Sequence, residues 1–282
     1  MNLLREINWI EKNKIIDNLL GYNTISSYPL IAGLEAEVAK ICLGETCYVL
    51  KIWNKKSKPN IQNQYKIIRT LYENGLTVPQ PMGYGRDKDM NQVLLTSYNG
   101  SPVNITDNQI LLNLASILNE VHKTPLELFD PQLVLEYDFI KYFYPGVEEH
   151  ADIHELLVHL VKKSNMKNEQ LIHGDYNLGN ILESEGTYTI IDWTNGQRGD
   201  PRYDIAWSVI LIQIYTDKSY ASLYRNDFLN IYTRGDLELF EAIACLRWIL
   251  LNRIVNLSKG IKTIRRVREI LKENVHLHEG LL

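Results

Sequence analysis

The sequence lacks a long uncharged hydrophobic run, and this absence argues against a membrane-spanning protein. Its opening residues, MNLLREINWIEKNK, carry a charge every few positions, which the apolar core of a signal peptide does not tolerate. The most apolar later segment, IACLRWILLNRIVNL, is interrupted by Arg247 and Arg253 and is too short to cross a bilayer. We therefore expect a soluble cytoplasmic protein with no membrane partner.

Cysteine and excess positive charge are also scarce. The three cysteines, Cys42, Cys47 and Cys245, have no nearby Cys or His set with metal-ligand spacing, so we expect buried, reduced thiols. The formal net charge is −4 and neither half of the chain is strongly basic, which argues against nucleic acid as a partner. The chain of 282 residues is long enough for one large domain or for two lobes with separate cores.

What is present divides the chain into a β-rich front and a helical back. After an N-terminal helix-like segment, the runs YPLIAG, EVAKICLG and TCYVLKIW predict an antiparallel meander. The apolar spacing of residues 60–75 predicts a helix, so five strands and one helix are expected in the first hundred residues. Several longer helices are predicted between about Thr106 and Glu273, and Thr106 or Asp107 is expected to cap the first of them. We expect an α+β fold with a small antiparallel β-lobe, 1–98, and a larger, mainly helical lobe, 99–282.

One stretch, LIHGDYNLGNILESEGTYTIIDWTNG, is unusually rich in aspartate and asparagine. Asp175 and Asn180 lie on one predicted loop, and Asp192 lies at the end of a neighbouring predicted strand. Carboxylate and amide oxygens are the ligands that Mg²⁺ prefers, and an aspartate without a basic partner is able to accept a proton from a hydroxyl group. Each residue alone would fit a turn or a helix cap. The three together predict phosphoryl transfer from ATP.

The combined pattern resembles a known superfamily. HGD followed by four residues and NIL, then IDW and GDPRYDIAW, is similar to the aminoglycoside phosphotransferases and choline kinases, small-molecule kinases related in fold to protein kinases. The resemblance extends from Leu30 to Trp207. It implies a two-lobed protein-kinase-like fold, with Asp175 as the catalytic aspartate and Asn180 and Asp192 as the magnesium ligands.

The same resemblance implies the nucleotide contacts. Lys51, on the third strand of the meander, matches the family lysine that contacts the α- and β-phosphates. Gly33 falls in the phosphate-covering loop, although the sequence has no G-x-G-x-x-G there. The Thr96 carbonyl and the Tyr98 amide match the segment that binds adenine. Gln64 stands where the family has a glutamate that pairs with the lysine, so Lys51 would be held less firmly.

Polar residues beside the motif favour structural roles. His173 is expected to hold the backbone of the catalytic loop by a hydrogen bond. Asp200 and Asp204 flank the start of a helix, where capping and loop anchoring are natural. Trp193 is expected to pack in the core.

The acceptor is less clearly indicated. Residues 130–155 contain seven acidic residues and one lysine, a pattern that favours a cationic hydroxylated acceptor such as an aminoglycoside or an amino alcohol, and that fits a solvated helix face equally well. Aromatic residues in the same region are able either to stack on a ligand or to pack in the core: Tyr137, Tyr142, Phe143 and Tyr144. The sequence does not indicate the oligomeric state.

Two functions from different classes therefore remain. The first is an ATP-dependent phosphotransferase acting on a hydroxyl of a small, amino-bearing molecule. The second is a catalytically weak, nucleotide-binding regulatory protein of the same fold, suggested by Gln64 and the glycine-poor loop. Retention of Asp175, Asn180 and Asp192 together favours the enzyme. A protein-serine kinase is disfavoured because no H-R-D, D-F-G or A-P-E signature is present.

Overall fold

In the computed structural model, the described residues are 2–30, 36–57, 59–255, 257 and 261–282. These residues form eleven β-strands: β1 (Asn8–Lys12), β2 (Ser26–Pro29), β3 (Ala36–Leu43), β4 (Thr46–Trp53), β5 (Pro81–Arg86), β6 (Gln92–Ser97), β7 (Ser101–Pro102), β8 (Gln170–Ile172), β9 (Ile181–Ser184), β10 (Thr187–Ile190) and β11 (Gln197–Gly199). They also form nine α-helices: α1 (Lys14–Gly21), α2 (Ile61–Glu73), α3 (Asn108–His122), α4 (Phe139–Phe143), α5 (Ala151–Ser164), α6 (Pro201–Tyr215), α7 (Lys218–Asn226), α8 (Arg234–Val255) and α9 (Ile261–Glu273).

The chain folds into two compact units. The first contains Met1–Pro102 together with Ile181–Thr194, and the second contains Val103–Asn180 together with Asn195–Leu282. The boundary expected from the sequence, between residues 98 and 99, places the β9–β10 hairpin in the second lobe. The hairpin instead belongs with the first unit because β9 pairs with β7 in an antiparallel ladder, Glu183 opposite Ser101.

The first unit is built on a six-stranded antiparallel sheet with the order β1-β5-β6-β4-β3-β2. The expectation of five strands and one helix is too low, because the N-terminal segment that reads as helix-like contains β1 as well as α1. The segment reads as helix-like, but Asn8 pairs with Arg86 of β5, and this non-local pairing makes Asn8–Lys12 a strand. The sheet buries Ile41, Leu50 and Leu95 in a core shared with α1.

Helix α2 follows the spacing of its apolar residues. The Asn60 side chain accepts a hydrogen bond from the Asn63 amide and so caps the first turn. Tyr65, Ile68 and Leu71 are buried one helical turn apart. The helix therefore packs against β5 and β6 through a buried face that carries no charged residue.

The second unit is mainly helical. Helix α8 is 22 residues long and is buried over most of its length, packed against α5 and α6 around residues such as Phe240 and Ile249. Helix α6 begins at Pro201, and Asp200 caps it by accepting the Arg202 amide. Strand β8 pairs antiparallel with β11 and is followed directly by the loop of residues 173–180. Among the described residues, no helix is long and apolar enough to cross a membrane.

The expectation of buried, reduced thiols is wrong for two of the three cysteines. Cys42 and Cys47 are half-buried and form a disulfide across the β3–β4 hairpin, where they lie directly opposite each other with Cα atoms 4.2 Å apart. The pairing follows from strand register, which places the two side chains on the same face of the sheet. Cys245 is free and fully buried, and burial raises the pKa of its thiol to about 12.

Thiol labelling should distinguish the three cysteines. We expect the native, non-reduced protein to take up no alkylating reagent, because Cys42 and Cys47 are bonded and Cys245 is buried and protonated near neutral pH. Mild reduction should expose two reactive thiols, and unfolding under reducing conditions should expose the third. Peptide mass spectrometry identifies the modified positions, and labelling of Cys42 and Cys47 before any reduction would contradict the pairing.

Candidate active site

The loop that follows β8 is anchored by one buried carboxylate. Asp204, on α6, is fully buried and accepts the His173 and Gly174 amides, both at 2.7 Å. His122 Nε2 lies 3.1 Å from the same carboxylate. Burying a carboxylate is costly unless it is hydrogen-bonded, and these partners offset that cost. Asp204 therefore fixes the backbone immediately before Asp175.

Only glycine fits the second position of the HGD motif. Gly174 has φ +76°, and a Cβ atom there would come within 2.8 Å of both Cβ and O of Asn195. On its carbonyl side, Gly174 accepts a hydrogen bond from Arg247 Nη1 at 2.9 Å. The loop backbone is thus held at both its amide and its carbonyl groups.

The Asp175 carboxylate is held at both oxygens. Its Oδ1 accepts the Trp207 indole N–H at 2.7 Å, and its Oδ2 accepts Asn180 Nδ2 at 3.0 Å. Asn180 Nδ2 also lies 3.0 Å from the Asp175 carbonyl, and the Asp175 amide donates to His173 Nδ1 at 3.2 Å. Because side-chain and backbone contacts act together, the direction of this carboxylate is fixed by its surroundings.

A buried arginine supports this arrangement. The Arg247 guanidinium lies 4.3 Å from the centre of the Trp207 ring and 5.0 Å from that of Phe143, and Nη1 donates to the Tyr203 hydroxyl at 2.9 Å. Burial disfavours its charge, but the Tyr203 hydroxyl and the Asp175 carboxylate outweigh that effect and raise the pKa of Arg247. Arg247 is therefore a permanent cation in the interior of the second unit.

A cavity of about 370 Å³ opens beside Asp175 within the second unit. Its walls include three aromatic side chains, Trp207, Tyr215 and Trp248, and several leucines. The Trp248 indole donates to the Tyr215 hydroxyl at 3.0 Å, so the two tryptophans direct their N–H groups to different acceptors. The volume lies within the range of small-molecule sites in proteins.

The acidic residues between 130 and 155 do not line this cavity within the part of the chain that the structure describes. Asp152 forms an ion pair with Arg253 at 2.7 Å, and the hydrogen bond from Arg253 lowers the pKa of Asp152 to about 2. Asp138 caps α4 by accepting the Lys141 amide. Local structure and solvent thus account for these acids.

The aromatic residues of the same segment divide between core and surface. Phe143 and Tyr144 are buried, and the Tyr144 hydroxyl donates to the Ile243 carbonyl at 2.7 Å. Tyr137 and Tyr142 stack on each other with ring centres 4.8 Å apart. None of the four is among the described residues that line the cavity beside Asp175.

Lys51 and Asp192, two of the sequence-predicted site residues, both lie in the first unit. Lys51 lies on β4 between Val38 and Leu94 of the neighbouring strands, and its Nζ is 3.9 Å from Asp192 Oδ2. Asp192 follows β10 with φ +66°, a left-handed conformation that is uncommon for a residue with a side chain, and its Oδ1 accepts the Thr194 hydroxyl at 3.1 Å. Such backbone strain is often retained at functional sites.

Gln64 is buried in α2, and its Oε1 has no hydrogen-bond partner among the described residues. The acidic neighbour of Lys51 is Asp192 rather than a residue of α2. That Gln64 holds Lys51 less firmly than the family's glutamate would remains a prediction.

The expected adenine-binding groups are partly engaged. The Tyr98 amide donates to the Cys47 carbonyl at 3.2 Å, so it extends the sheet, and Lys40 Nζ lies 3.9 Å from the centre of the Tyr98 ring. Thr96 lies in β6 opposite Val49. Gly33 lies outside the described residues.

Trp193 is buried, as expected from the sequence, and its indole donates to the Ile190 carbonyl at 3.3 Å.

The oxygen atoms proposed to hold a cation suit a hard metal ion. Asn180 uses its amide nitrogen on Asp175, which leaves Oδ1 as its remaining oxygen acceptor, and Asp192 has a half-exposed carboxylate. No group of three or more His, Cys, Asp or Glu residues within the described ranges is arranged to bind a metal.

A family model described as "phosphotransferase enzyme family" matches residues 29–240. The chain belongs to this family. A comparison with curated protein sequences finds no match. The matched range includes Lys51, Asp175 and Asp192.

Solved structures similar to this phosphotransferase share its fold. A thermostable mutant of aminoglycoside phosphotransferase APH(4)-Ia has a TM-score of 0.68 at 16% identity, covering 93% of this chain and 99% of the other. Amicoumacin kinase hAmiN, in complex with AMP-PNP, Ca²⁺ and Ami, has a TM-score of 0.66 at 15% identity, with 89% of each chain covered. Choline kinase LicA from Streptococcus pneumoniae has a TM-score of 0.60 at 16% identity, covering 92% and 96%. The predicted α+β, protein-kinase-like fold and the predicted superfamily are confirmed.

Two site residues of this phosphotransferase are missing from the sequence-based set. Trp207 lies in the quoted GDPRYDIAW motif, but its indole contact with Asp175 depends on folding. Arg247 reads only as an interruption of an apolar run. A single cation on a helix that is otherwise buried is itself a signal, because such a charge requires partners in the interior.

Trp207 should position Asp175 for phosphoryl transfer. Trp207→Phe keeps an aromatic ring but removes the N–H donor, and a hydrogen bond to a charged group contributes about 1.5–3 kcal/mol. We expect kcat to fall by about ten- to a hundredfold, with an unchanged KM for ATP, in steady-state assays with any acceptor that the parent phosphorylates.

Trp248→Phe is the matched control. It makes the same chemical change in the same cavity, but the Trp248 indole donates to Tyr215 rather than to Asp175. This variant should alter the KM for the acceptor more than kcat. Equal effects on kcat in both variants would mean that Trp207 acts only through packing.

Proposed function

We propose that this protein is an ATP-dependent phosphotransferase that moves the γ-phosphate of ATP to a hydroxyl group of a small molecule, with Mg²⁺ as cofactor. The observation that carries the proposal is the fixed Asp175 carboxylate, held by Trp207 and Asn180 at the wall of a cavity of about 370 Å³. Membership of the phosphotransferase family and the similarity in fold to kinases crystallised with AMP-PNP support it.

Asp175 acts on the acceptor in this proposal. As the acceptor oxygen forms its bond to the γ-phosphorus, the bond from that phosphorus to the bridging oxygen of ATP breaks and ADP leaves. The hydroxyl proton passes to the Asp175 carboxylate. Because the carboxylate is fixed before the acceptor binds, little reorganisation is needed during the reaction.

The first unit binds the nucleotide in this proposal. Lys51 contacts the α- and β-phosphates, and its contact with Asp192 then gives way to contacts with the nucleotide. Thr96 and Gly33 are assigned to the adenine and to the phosphates by resemblance. An adenine contact from the Tyr98 amide would require the bond to the Cys47 carbonyl to open.

Asn180 Oδ1 and the Asp192 carboxylate would hold the magnesium ion. When bound, the ion would neutralise charge on the phosphates. The amino-bearing acceptor expected from the acidic segment has less support, because residues such as Asp138 and Asp152 serve as a cap and an ion-pair partner. The proposed acceptor is therefore a small hydroxylated molecule.

Asp175→Asn tests the proposal directly. The substituted amide keeps an oxygen for the Trp207 indole but is unable to accept the hydroxyl proton. We expect MgATP affinity, measured by calorimetry, to change by less than about tenfold (~1.4 kcal/mol). Acceptor-dependent phosphoryl transfer should fall by about a hundredfold or more.

The controls separate the alternatives. If Asp175→Asn transfers phosphate to a verified acceptor near the parental rate, Asp175 is a structural residue and the proposal fails. If the parent binds MgATP tightly but phosphorylates nothing in a broad panel of alcohols, sugars and amino alcohols, the nucleotide-binding regulatory function is supported instead.

Removal of divalent cations should abolish turnover. Because Asn180 and Asp192 are oxygen ligands suited to a hard cation, we expect EDTA to stop phosphoryl transfer and added Mg²⁺ or Mn²⁺ to restore it. Asp192→Ala should not be rescued by either ion. Phosphoryl transfer that continues at the same rate in EDTA would contradict the metal assignment.

A further inference from the structure

The cavity beside Asp175 is mainly apolar. Among the described residues that line it, Asp175 is the only charged one, and aliphatic contacts come from side chains such as Leu211 on α6 and Leu251 on α8. Both leucines are only partly buried in the protein, so a bound molecule would remove further apolar surface from water. A ligand enclosed here meets hydrocarbon and aromatic rings around one carboxylate.

A buried cation already lies near that carboxylate. Arg247 interacts electrostatically with Asp175 and remains protonated in the interior. Its guanidinium also occupies the vicinity of the Trp207 ring, 4.3 Å from the ring centre. An ammonium group that approached Trp207 would therefore be repelled by this cation.

We infer that the cavity selects an uncharged acceptor, a hydroxyl compound with an apolar body, and discriminates against cationic acceptors. This inference rests on the proposed function and names its substrate class. Desolvating an ammonium group is costly unless acidic partners receive it, and the acids of residues 130–155 are engaged elsewhere or exposed. Burying an alkyl or aryl group carries no such desolvation cost, and the hydroxyl group of the same molecule is able to face Asp175.

A matched pair of probes isolates the charge. Choline and 3,3-dimethyl-1-butanol have the same shape, and they differ in that a quaternary nitrogen replaces a quaternary carbon. We expect the neutral alcohol to bind at least about tenfold more tightly than choline, measured by titration with ligand-observed NMR on the whole protein. With MgATP, kcat/KM should favour the neutral alcohol in the same direction.

Leu251→Glu tests the origin of the preference. A carboxylate on the wall should weaken binding of the neutral alcohol and shift the ratio of the two affinities towards choline by about tenfold or more. Val158→Glu is the control, because Val158 is 44% exposed on α5 and does not line the cavity. It adds the same charge and should leave the ratio unchanged.

The outcomes separate this inference from the proposed function. Choline bound or phosphorylated as well as the neutral alcohol, or no binding of the neutral alcohol at millimolar concentrations, would overturn the inference. Phosphoryl transfer to choline in that case would still support the kinase. Binding of the neutral alcohol that Leu251→Glu weakens, without any transfer from MgATP, would support the inference and count against the proposed function.

Discussion

The conformation of the HGD loop in the second unit depends on the hydrogen bonds of the buried Asp204 carboxylate. This carboxylate receives two backbone amides from the HGD loop, from His173 and Gly174, and it lies against the His122 ring. A carboxylate in this position would be strongly destabilising without those donors. Because the donors belong to the loop, the anion and the loop conformation stabilise each other. The direction of Asp175 therefore depends on an anchor in helix α6.

Around this anchor, each further contact restricts the remaining freedom of the loop. Arg247 binds the Gly174 carbonyl and packs on Trp207, and Trp207 in turn binds Asp175. The charges of Asp175 and Arg247 are thereby compensated within a few residues of the cavity. The arrangement resembles the support that preorganised sites generally need, in which the residues that hold the reacting group are themselves held.

Local patterns in the sequence predict most of the helices and the loop that carries Asp175. The features that they do not predict depend on contacts between residues far apart along the chain. Asp107 caps α3 within the predicted pair, because capping depends on neighbours in sequence. The motif that contains Asp175 was also visible, since its spacing is fixed by one loop. The Cys42–Cys47 pair depends on strand register, and the strand at Asn8–Lys12 on pairing with β5. Arg247 lies far along the chain from the loop that it supports.

Ile181–Thr194 belongs to the first unit, although the residues on both sides of it belong to the second. This affects where the protein is divisible into fragments. The polypeptide passes between the units at residues 102 and 103, at 180 and 181, and at 194 and 195. A gene truncated after Pro102 would encode the lysine strand without Asp192 and without the partner of β7. Because each unit is assembled from two separate segments of the chain, cutting the polypeptide at a single position releases neither unit intact.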